Sequence, residues 1–154
     1  MNRNSITNVV WFALLLLAAL LVGTMFGIWV GFDPAALSAQ AYVEQQQNAI
    51  RSLNTFLPAL GAVCIALTIA LLVLSQARTR AWLGAAAMCF VAAGMITRFG
   101  NQPINAIVIG WSAQAPDARW MELRDTWWHW HIARTLFGIV AFSFALVAAL
   151  GRRP

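Results

Sequence analysis

Long apolar segments alternate with shorter polar ones along the chain, and four of the apolar segments approach the length of a bilayer crossing. A transmembrane helix needs about 20 apolar residues to cross a hydrocarbon core roughly 30 Å thick. The pattern therefore predicts an all-α bundle of four transmembrane helices in a single membrane domain. The approximate spans are 9–31, 39–75, 80–98 and 127–150.

The connections between the spans add two predicted helical features. The second helix is predicted to begin near Ser38, so that its first part extends beyond the bilayer. Gly100, Asn101 and Pro103 are typical of a helix end, a helix cap and a first helical turn. They predict a short helix that runs towards Gly110 in the long connection before the fourth span.

Composition favours a membrane protein over a soluble one. Apolar residues make up 61% of the chain, charged residues make up 10%, and the mean hydropathy is +0.71. Soluble domains carry about 25% charged residues. The net charge of +5 would suggest nucleic-acid binding in a soluble protein. Here membrane topology accounts for the excess of arginine, so no nucleic-acid partner is predicted.

The distribution of charge predicts the orientation of the chain. Five arginines near both ends and in the turn before the third span have no acidic residue beside them: Arg3, Arg78, Arg80, Arg152 and Arg153. The acidic residues lie in the two longer connections: Asp33, Glu44, Asp117, Glu122 and Asp125. Because positive loops stay cytoplasmic, both termini are predicted to be cytoplasmic. The alanine-rich, lysine-free composition indicates a bacterial inner (plasma) membrane, with lipid as a partner.

Polar residues follow a helical spacing on the second helix as it approaches the bilayer. Gln47, Arg51 and Asn54 lie near the apolar boundary, where an unpaired polar group is costly. We expect these three to face inward. Gln40 and Glu44 lie further out and fit a solvated turn equally well.

The stretch WWHWHIAR at 127–134 begins the fourth span. On a helix Trp127, Trp130, His131 and Arg134 share one face, whereas Trp128 points elsewhere. An arginine inside a span usually faces the bundle interior or a cavity, although its long side chain also allows snorkelling to the interface. We therefore expect a site at the non-cytoplasmic end of the bundle.

The sequence offers little for a metal and no cofactor motif. His129 and His131 are the two histidines, and on a regular helix they point about 200° apart, so they cannot chelate one ion together. We predict no cofactor. A metal site that recruits His131 and groups from other helices is kept as a further alternative.

Three glycines on the first span, Gly23, Gly27 and Gly31, are spaced to lie on one helix face. Small residues at this spacing allow two helices to approach closely. They predict a close contact either within the chain or between two copies of it.

The segments GNQPIN and W-x-x-W-H-x-x-R-T resemble the anthrone oxygenase-like family of small four-helix integral membrane proteins. In that family N-x-P-x-N precedes W-x-x-W-N-x-x-R-T. The matching residues are Asn101, Pro103, Asn105, Trp127, Trp130, Arg134 and Thr135, with Gln47 and Asn54 as looser counterparts. His131 departs from the pattern, because many members have asparagine there.

The resemblance implies oxidation of a hydrophobic aromatic molecule, since fungal members are associated with oxidising anthrones to anthraquinones with dioxygen. Most bacterial members have no assigned activity. Without a cofactor, this chemistry needs a base, an anion site and a flat apolar pocket. We hypothesise that His131 is the base and that Arg134, Asn101 and Asn105 stabilise the oxyanion. The expected substrate-binding residues are Trp127, Trp130, Gln47, Arg51 and Asn54.

Other function classes fit the same residues. The polar groups suit a non-catalytic membrane protein with a buried hydrogen-bond network or a site for a lipid or aromatic ligand. A metal-binding protein that uses His131 is a further alternative. Enzymatic activity is thus one hypothesis among three.

Overall fold

The computed structural model describes residues 3–152, with side chains from residue 5 onward, and its regular secondary structure there is helical. The helices are α1 (Arg3–Gly31), α2 (Ala39–Leu53), α3 (Phe56–Leu74), α4 (Ala77–Ile96), α5 (Gln102–Val108) and α6 (Trp120–Leu150). A 3₁₀ turn, Pro34–Ala36, lies between α1 and α2, and a π-helical turn, Thr97–Asn101, joins α4 to α5. The predicted all-α helical bundle is confirmed.

Four helical segments are long and apolar enough to cross a membrane. They are Ser5–Ala36, Phe56–Leu74, Ala77–Val108 and Trp120–Leu150. The third of these joins α4, the π-helical turn and α5 without a break. The predicted number of spans agrees with these segments.

The four long helices pack in a ring. Helix α6 packs against α1 and α4, and α3 packs against the same two helices. Their inner faces bury one apolar core that includes Leu14, Ala18, Leu71 and Leu83. Helices α1 and α6 approach closely at Gly138, where an added Cβ would lie 2.7 Å from the Cε of Met25.

The predicted second helix is interrupted close to the apolar boundary. Helix α2 begins as expected, because the Ser38 side chain caps it by accepting a hydrogen bond from the Ala41 N–H. The helix is broken at Asn54 and Thr55 and resumes as α3. Pro58 has no N–H to donate to the carbonyl of the fourth residue before it, which explains a break at this point. Helix α2 packs against α5 and thereby covers the bundle end that carries the site.

The chain continues from α4 into α5 without the predicted helix end and cap. Gly100 and Asn101 lie inside the π-helical turn, and the Asn101 side chain makes no cap hydrogen bond. Gly100 instead allows a close contact, because an added Cβ there would lie 2.7 Å from ring atoms of Trp130. The expected short helix is α5 itself, which ends at Val108.

The glycine face of α1 makes no close contact within the described chain. Gly23, Gly27 and Gly31 are exposed, and an added Cβ at any of them would meet nothing within 4 Å. The intrachain alternative is therefore wrong, and contact between two copies stays a prediction. Of the arginines used to predict orientation, Arg153 lies outside the described residues.

Candidate functional site

The site is built on the buried face of α6. Trp127, His131 and Arg134 follow one another at helical spacing and are 5%, 0% and 7% exposed. The indole of Trp127 stacks on the imidazole of His131, with ring centroids 5.1 Å apart and planes within 3° of parallel. Thr135 donates its hydroxyl hydrogen to the His131 carbonyl at 2.7 Å, which satisfies that buried hydroxyl. These contacts hold the imidazole and guanidinium in fixed positions inside the bundle.

Both ring nitrogens of His131 are hydrogen bonded. Nε2 lies 3.1 Å from the Met25 carbonyl oxygen of α1, and because a carbonyl can only accept, Nε2 carries the hydrogen. Nδ1 then accepts from Arg134, at 3.2 Å from Nε and 2.9 Å from Nη2. The ring therefore anchors the guanidinium to α1. This arrangement leaves the imidazole without a free lone pair, and its predicted role as a base stays a prediction.

A network of amides surrounds the carboxamide of Asn105 on α5. Its Oδ1 accepts from the Trp127 indole N–H at 2.8 Å and from Gln46 Nε2 at 3.4 Å. Its Nδ2 donates to the Asn54 Oδ1 at 2.8 Å. The single side chain of Asn105 thus links α2, the α2–α3 break and α6.

These groups line a cavity of about 140 Å³, here called the amide cavity. Its polar wall consists of Gln45, Gln46, Asn54, Thr97, Asn105 and Arg134. Trp127 and the aliphatic residues Ile28, Ile50 and Leu57 supply much of the apolar wall. Gln45 is exposed on α2, outside the spanning segments, so the cavity opens near the end of the bundle.

Arg134 carries an uncompensated charge in the wall of this cavity. In the part of the chain that is described, ion pairs are formed by Arg119 with Asp117 and by Arg124 with Asp125, and Arg134 contacts no carboxylate. Its partners are the neutral His131 and the Thr97 hydroxyl, which lies 3.5 Å from Nη1. A buried cation without a counter-charge is costly, so the site is suited to an anion.

Three buried polar atoms in the described chain also have no hydrogen-bond partner: Gln46 Oε1, Asn101 Oδ1 and the Tyr42 hydroxyl. Of these residues, Gln46 lines the amide cavity. Burial raises the pKa of Tyr42 above its ordinary value, so this phenol stays protonated at neutral pH. The cavity wall thus presents a cation without a carboxylate partner, which suits a ligand with an acidic oxygen.

A sequence model of the family described as anthrone oxygenase matches residues 47–144. The match covers more than half of the chain. The chain belongs to the anthrone oxygenase family. Comparisons with curated proteins and with solved structures found no match.

Within this anthrone oxygenase family member, several residues predicted for the site come together. Arg134, Asn105, Asn54 and Trp127 line the amide cavity. Asn101 is fully buried beside it and donates from Nδ2 to the Trp127 carbonyl at 3.0 Å, so it positions α6. Arg134, Asn105, Asn54, Trp127 and Asn101, which are shared with the family pattern, therefore lie together at one end of the bundle.

Three predicted substrate-binding residues lie elsewhere. Gln47 donates to the carbonyls of Val108 and Trp111, at 3.1 and 2.8 Å, and so satisfies the C-terminal end of α5. Arg51 is exposed and does not line the cavity. Trp130 is 43% exposed and packs against Gly100, so it does not share the buried face of Trp127.

Gln46 and Trp128 belong to the site but were not predicted for it. Gln46 is 1% exposed and follows Tyr42 and precedes Ile50 by one helical turn, so it lies on the buried stripe of α2. Trp128 does not point away, because its ring stacks on His131 with centroids 5.5 Å apart. The signal for Gln46 was its position among the apolar residues of α2 rather than among the polar ones.

The residues described do not form a cluster suited to a metal ion. No group of three or more His, Cys, Asp or Glu side chains comes together within residues 3–152. His131 has both nitrogens engaged, and a metal bond would displace either Met25 or Arg134. The donor set of the amide cavity, amides and a guanidinium, also differs from the ligands that transition metals prefer.

Proposed function

We propose that the chain oxidises a hydroxylated, anthrone-like aromatic molecule with dioxygen in the amide cavity. The observation that carries this proposal is Arg134, a buried cation without a carboxylate partner in a cavity wall. A preorganised cation aimed at a developing oxyanion is among the largest contributions to catalysis in acyl and enol chemistry. Membership of the anthrone oxygenase family supports the same substrate class.

Each side of the substrate has a counterpart in the wall. The enolate oxygen binds the guanidinium of Arg134 in the polar wall of the cavity. The flat ring system lies against Trp127 and the aliphatic residues Ile28 and Ile50. The Asn105 network holds Trp127 and Gln46 in place for this contact.

The reaction balances without a further reductant or oxidant. Loss of a proton from the methylene carbon opposite the carbonyl gives an enolate, and that carbon forms a C–O bond with dioxygen. After protonation, the resulting hydroperoxide loses water, so the O–O bond breaks and the carbon becomes a second carbonyl. One substrate and one dioxygen thus give one quinone and one water.

His131 acts as a positioning residue in this mechanism. It fixes Arg134 through Nδ1 and is itself fixed to the backbone of α1 through Nε2. Arg134 favours the ionised form of the substrate. The described wall of the cavity contains no carboxylate that could accept the substrate proton, so the proton passes to water at the mouth of the cavity near Gln45. This assignment replaces the general base that the sequence suggested.

We also propose that the amide cavity lies at the non-cytoplasmic end of a bacterial inner-membrane protein. Arg78, Arg80 and Arg152 lie at the opposite end of the bundle, as the positive-inside rule requires for cytoplasmic turns. The acidic residues of the described loops lie on the cavity side. Substrates and products would then exchange with the outer leaflet or the periplasm.

A non-catalytic ligand-binding protein is the second candidate. Both the Oδ1 and the Nδ2 of Asn105 are engaged by other side chains of the chain, which favours a structural role for this part of the network. The same cavity would then bind an aromatic anion or a lipid without turnover. Binding of an anthrone without oxygen consumption would support this candidate.

The test is oxygen uptake and quinone formation by purified protein in lipid nanodiscs with a hydroxylated anthrone. We expect the Arg134→Gln variant to lose roughly 100-fold in rate, the usual cost of removing an oxyanion donor. Arg119→Gln serves as the matched control, since Arg119 is an exposed loop residue paired with Asp117. Quinone formation no faster than in protein-free nanodiscs would overturn the proposal.

A further inference from the structure

A second cavity lies deeper in the bundle, between α1, α3, α4 and α6. It has a volume of about 220 Å³ and is called here the apolar cavity. Much of its wall is formed by Leu21, Met25, Gly61, Ile65, Phe90 and Gly138. The polar part of the wall consists of Thr97, Arg98, Gln102 and Arg134. Apolar cavities of about 150 Å³ stay dry and bind small apolar molecules such as benzene or xenon. The apolar cavity is therefore large enough for a small uncharged ligand.

The two cavities share one wall. Leu57, Pro58, Thr97 and Arg134 line both of them. Arg134 therefore belongs to the wall between the amide cavity and the apolar cavity. A molecule in the apolar cavity would reach the ligand of the amide cavity at this partition.

The apolar cavity opens on the outer surface of the bundle. Ala62 on α3 and Gly94 on α4 line the cavity and are both exposed. Both residues lie inside segments long and apolar enough to span a membrane, and an added Cβ on Gly94 would meet nothing within 4 Å. Acyl chains would cover Ala62 and Gly94, so this side of the opening connects the cavity to the bilayer interior. Arg98, which is exposed one turn further along the helix, also lines the cavity and marks the side nearest the lipid headgroups.

We propose that the apolar cavity takes up dioxygen from the bilayer and delivers it to the substrate at Arg134. This inference rests on the proposed function, which consumes one dioxygen for each substrate. Dioxygen is apolar and makes no strong hydrogen bonds, so it concentrates in hydrocarbon and in apolar cavities rather than in water. The aromatic substrate uses the separate mouth at Gln45.

The position of Arg134 fits this route. Negative charge moves from the enolate to oxygen as the C–O bond forms, and a cation in the wall between the two reactants remains close to that charge throughout. Dioxygen that arrived through the amide cavity would have to pass the bound substrate. The shared wall thus explains why the cation lies at this depth.

Dioxygen itself is the probe in the first test. Paramagnetic relaxation by dissolved dioxygen is measured at ¹³C-labelled methionine methyl groups in nanodiscs, without substrate. Met25 lines the apolar cavity and is 5% exposed, whereas Met88 is 70% exposed on α4. We expect Met25 to relax about as strongly as Met88 despite its burial. Weak relaxation at Met25 would overturn the proposal.

Variants at the opening give the matched comparison. Ala62→Phe fills the opening, and Ala66→Phe places the same side chain one turn further along α3, at an exposed position that does not line the cavity. We expect Ala62→Phe to reduce the dioxygen-induced relaxation of the Met25 methyl group several-fold. Ala66→Phe should leave that relaxation unchanged. Gly94→Leu blocks the opening from α4 and replaces Ala62→Phe if that variant does not fold. If Ala62→Phe or Gly94→Leu folds and the dioxygen-induced relaxation of Met25 is unchanged, the proposal is contradicted.

Kinetics then connect the cavity to the reaction. In Ala62→Phe we expect the KM for dioxygen to rise several-fold, while the anaerobic dissociation constant of the anthrone is unchanged. Weaker anthrone binding with an unchanged KM for dioxygen would mean that the opening admits the substrate, against our proposal. Wild-type protein that oxidises no anthrone would refute the proposed function, and the relaxation measurement would still report whether dioxygen occupies the cavity.

Discussion

At the scale of single residues, the pairing of Arg134 with His131 defines the chemistry of the site. A neutral imidazole orients the guanidinium without neutralising it, because Nδ1 accepts from Nη2 at 2.9 Å and Nε2 is held by the Met25 carbonyl. A carboxylate in place of His131 would cancel the charge. The arrangement therefore keeps the cation both fixed and available to a ligand.

Substitutions of His131 distinguish positioning from base catalysis. Asparagine retains an acceptor for Arg134 but cannot act as a base, so we expect His131→Asn to retain most activity and His131→Leu to lose at least about tenfold. A general base contributes about 10²–10⁴-fold. Initial rates of quinone formation between pH 5 and 9 are the measurement, with the exposed His129→Asn as control. A loss of about 10²–10⁴-fold in the rate of His131→Asn would instead indicate that His131 acts as the general base.

Sequence reasoning located Arg134, Asn105 and Trp127 because each is a costly or bulky group inside an apolar segment. It misplaced Trp130, which helical spacing puts beside Trp127, because the close approach of Gly100 provides an outer surface for that ring. It missed Gln46, because the residue lies among apolar neighbours of α2 and its polar partner, Asn105, is distant in sequence. Spacing along one helix does not reveal which neighbouring helix supplies a partner.

At the scale of elements, two backbone irregularities shape the site. The break at Asn54 and Thr55 lets Asn54 accept from Asn105, and the π-helical turn buries Asn101 against α6. Pro58 gave a local signal for the break. The π-helical turn had none, because Gly100 and Asn101 equally fit an ordinary helix end. The turn packs Gly100 against Trp130, a contact that only the folded bundle supplies.

The close contact at Gly100 predicts a large effect of one methyl group. In Gly100→Ala the new Cβ would lie 2.7 Å from Trp130 ring atoms, and such overpacking costs about 1–3 kcal/mol in unfolding free energy. Thermal unfolding followed by near-ultraviolet circular dichroism should show a lower Tm. Gly94→Ala is the control, since its Cβ meets nothing within 4 Å.

A second substitution tests whether the destabilisation by Gly100→Ala comes from its contact with the Trp130 ring. Adding Trp130→Ala should remove most of the penalty of Gly100→Ala, because the two substitutions share one contact and are not additive. A penalty of the same size in the Trp130→Ala background would show that the π-helical turn, rather than the indole, requires glycine.

At the scale of the whole molecule, the sequence was most informative. The fold class and the number of spans follow from the length of the apolar segments, which a bilayer imposes directly. The length of the apolar segments does not predict which helices are neighbours, because many arrangements of four helices bury the same apolar residues. The ring of α1, α3, α4 and α6, and the cover formed by α2 and α5, depend on complementary packing that periodicity does not encode.

The arginine pattern predicts a single orientation that can be measured in intact cells. Gln114 is exposed in the loop before α6, on the cavity side, and Gln76 is exposed in the turn between α3 and α4. In a background without Cys64 and Cys89, we expect a membrane-impermeant maleimide to label Gln114→Cys in intact cells. Gln76→Cys should react only after permeabilisation, because the positive-inside rule predicts a cytoplasmic location for the turn that carries Arg78 and Arg80.

The labelling result also shows from which side of the membrane the substrate would enter the amide cavity. Labelling of Gln76→Cys instead of Gln114→Cys would place the amide cavity on the cytoplasmic side, so that substrate would come from cytoplasmic pools. Oxidation at Arg134 and dioxygen entry between α3 and α4 would be unaffected, since the bilayer supplies dioxygen to either orientation. Labelling of both positions in intact cells would indicate mixed insertion, contrary to the single orientation that the arginines predict.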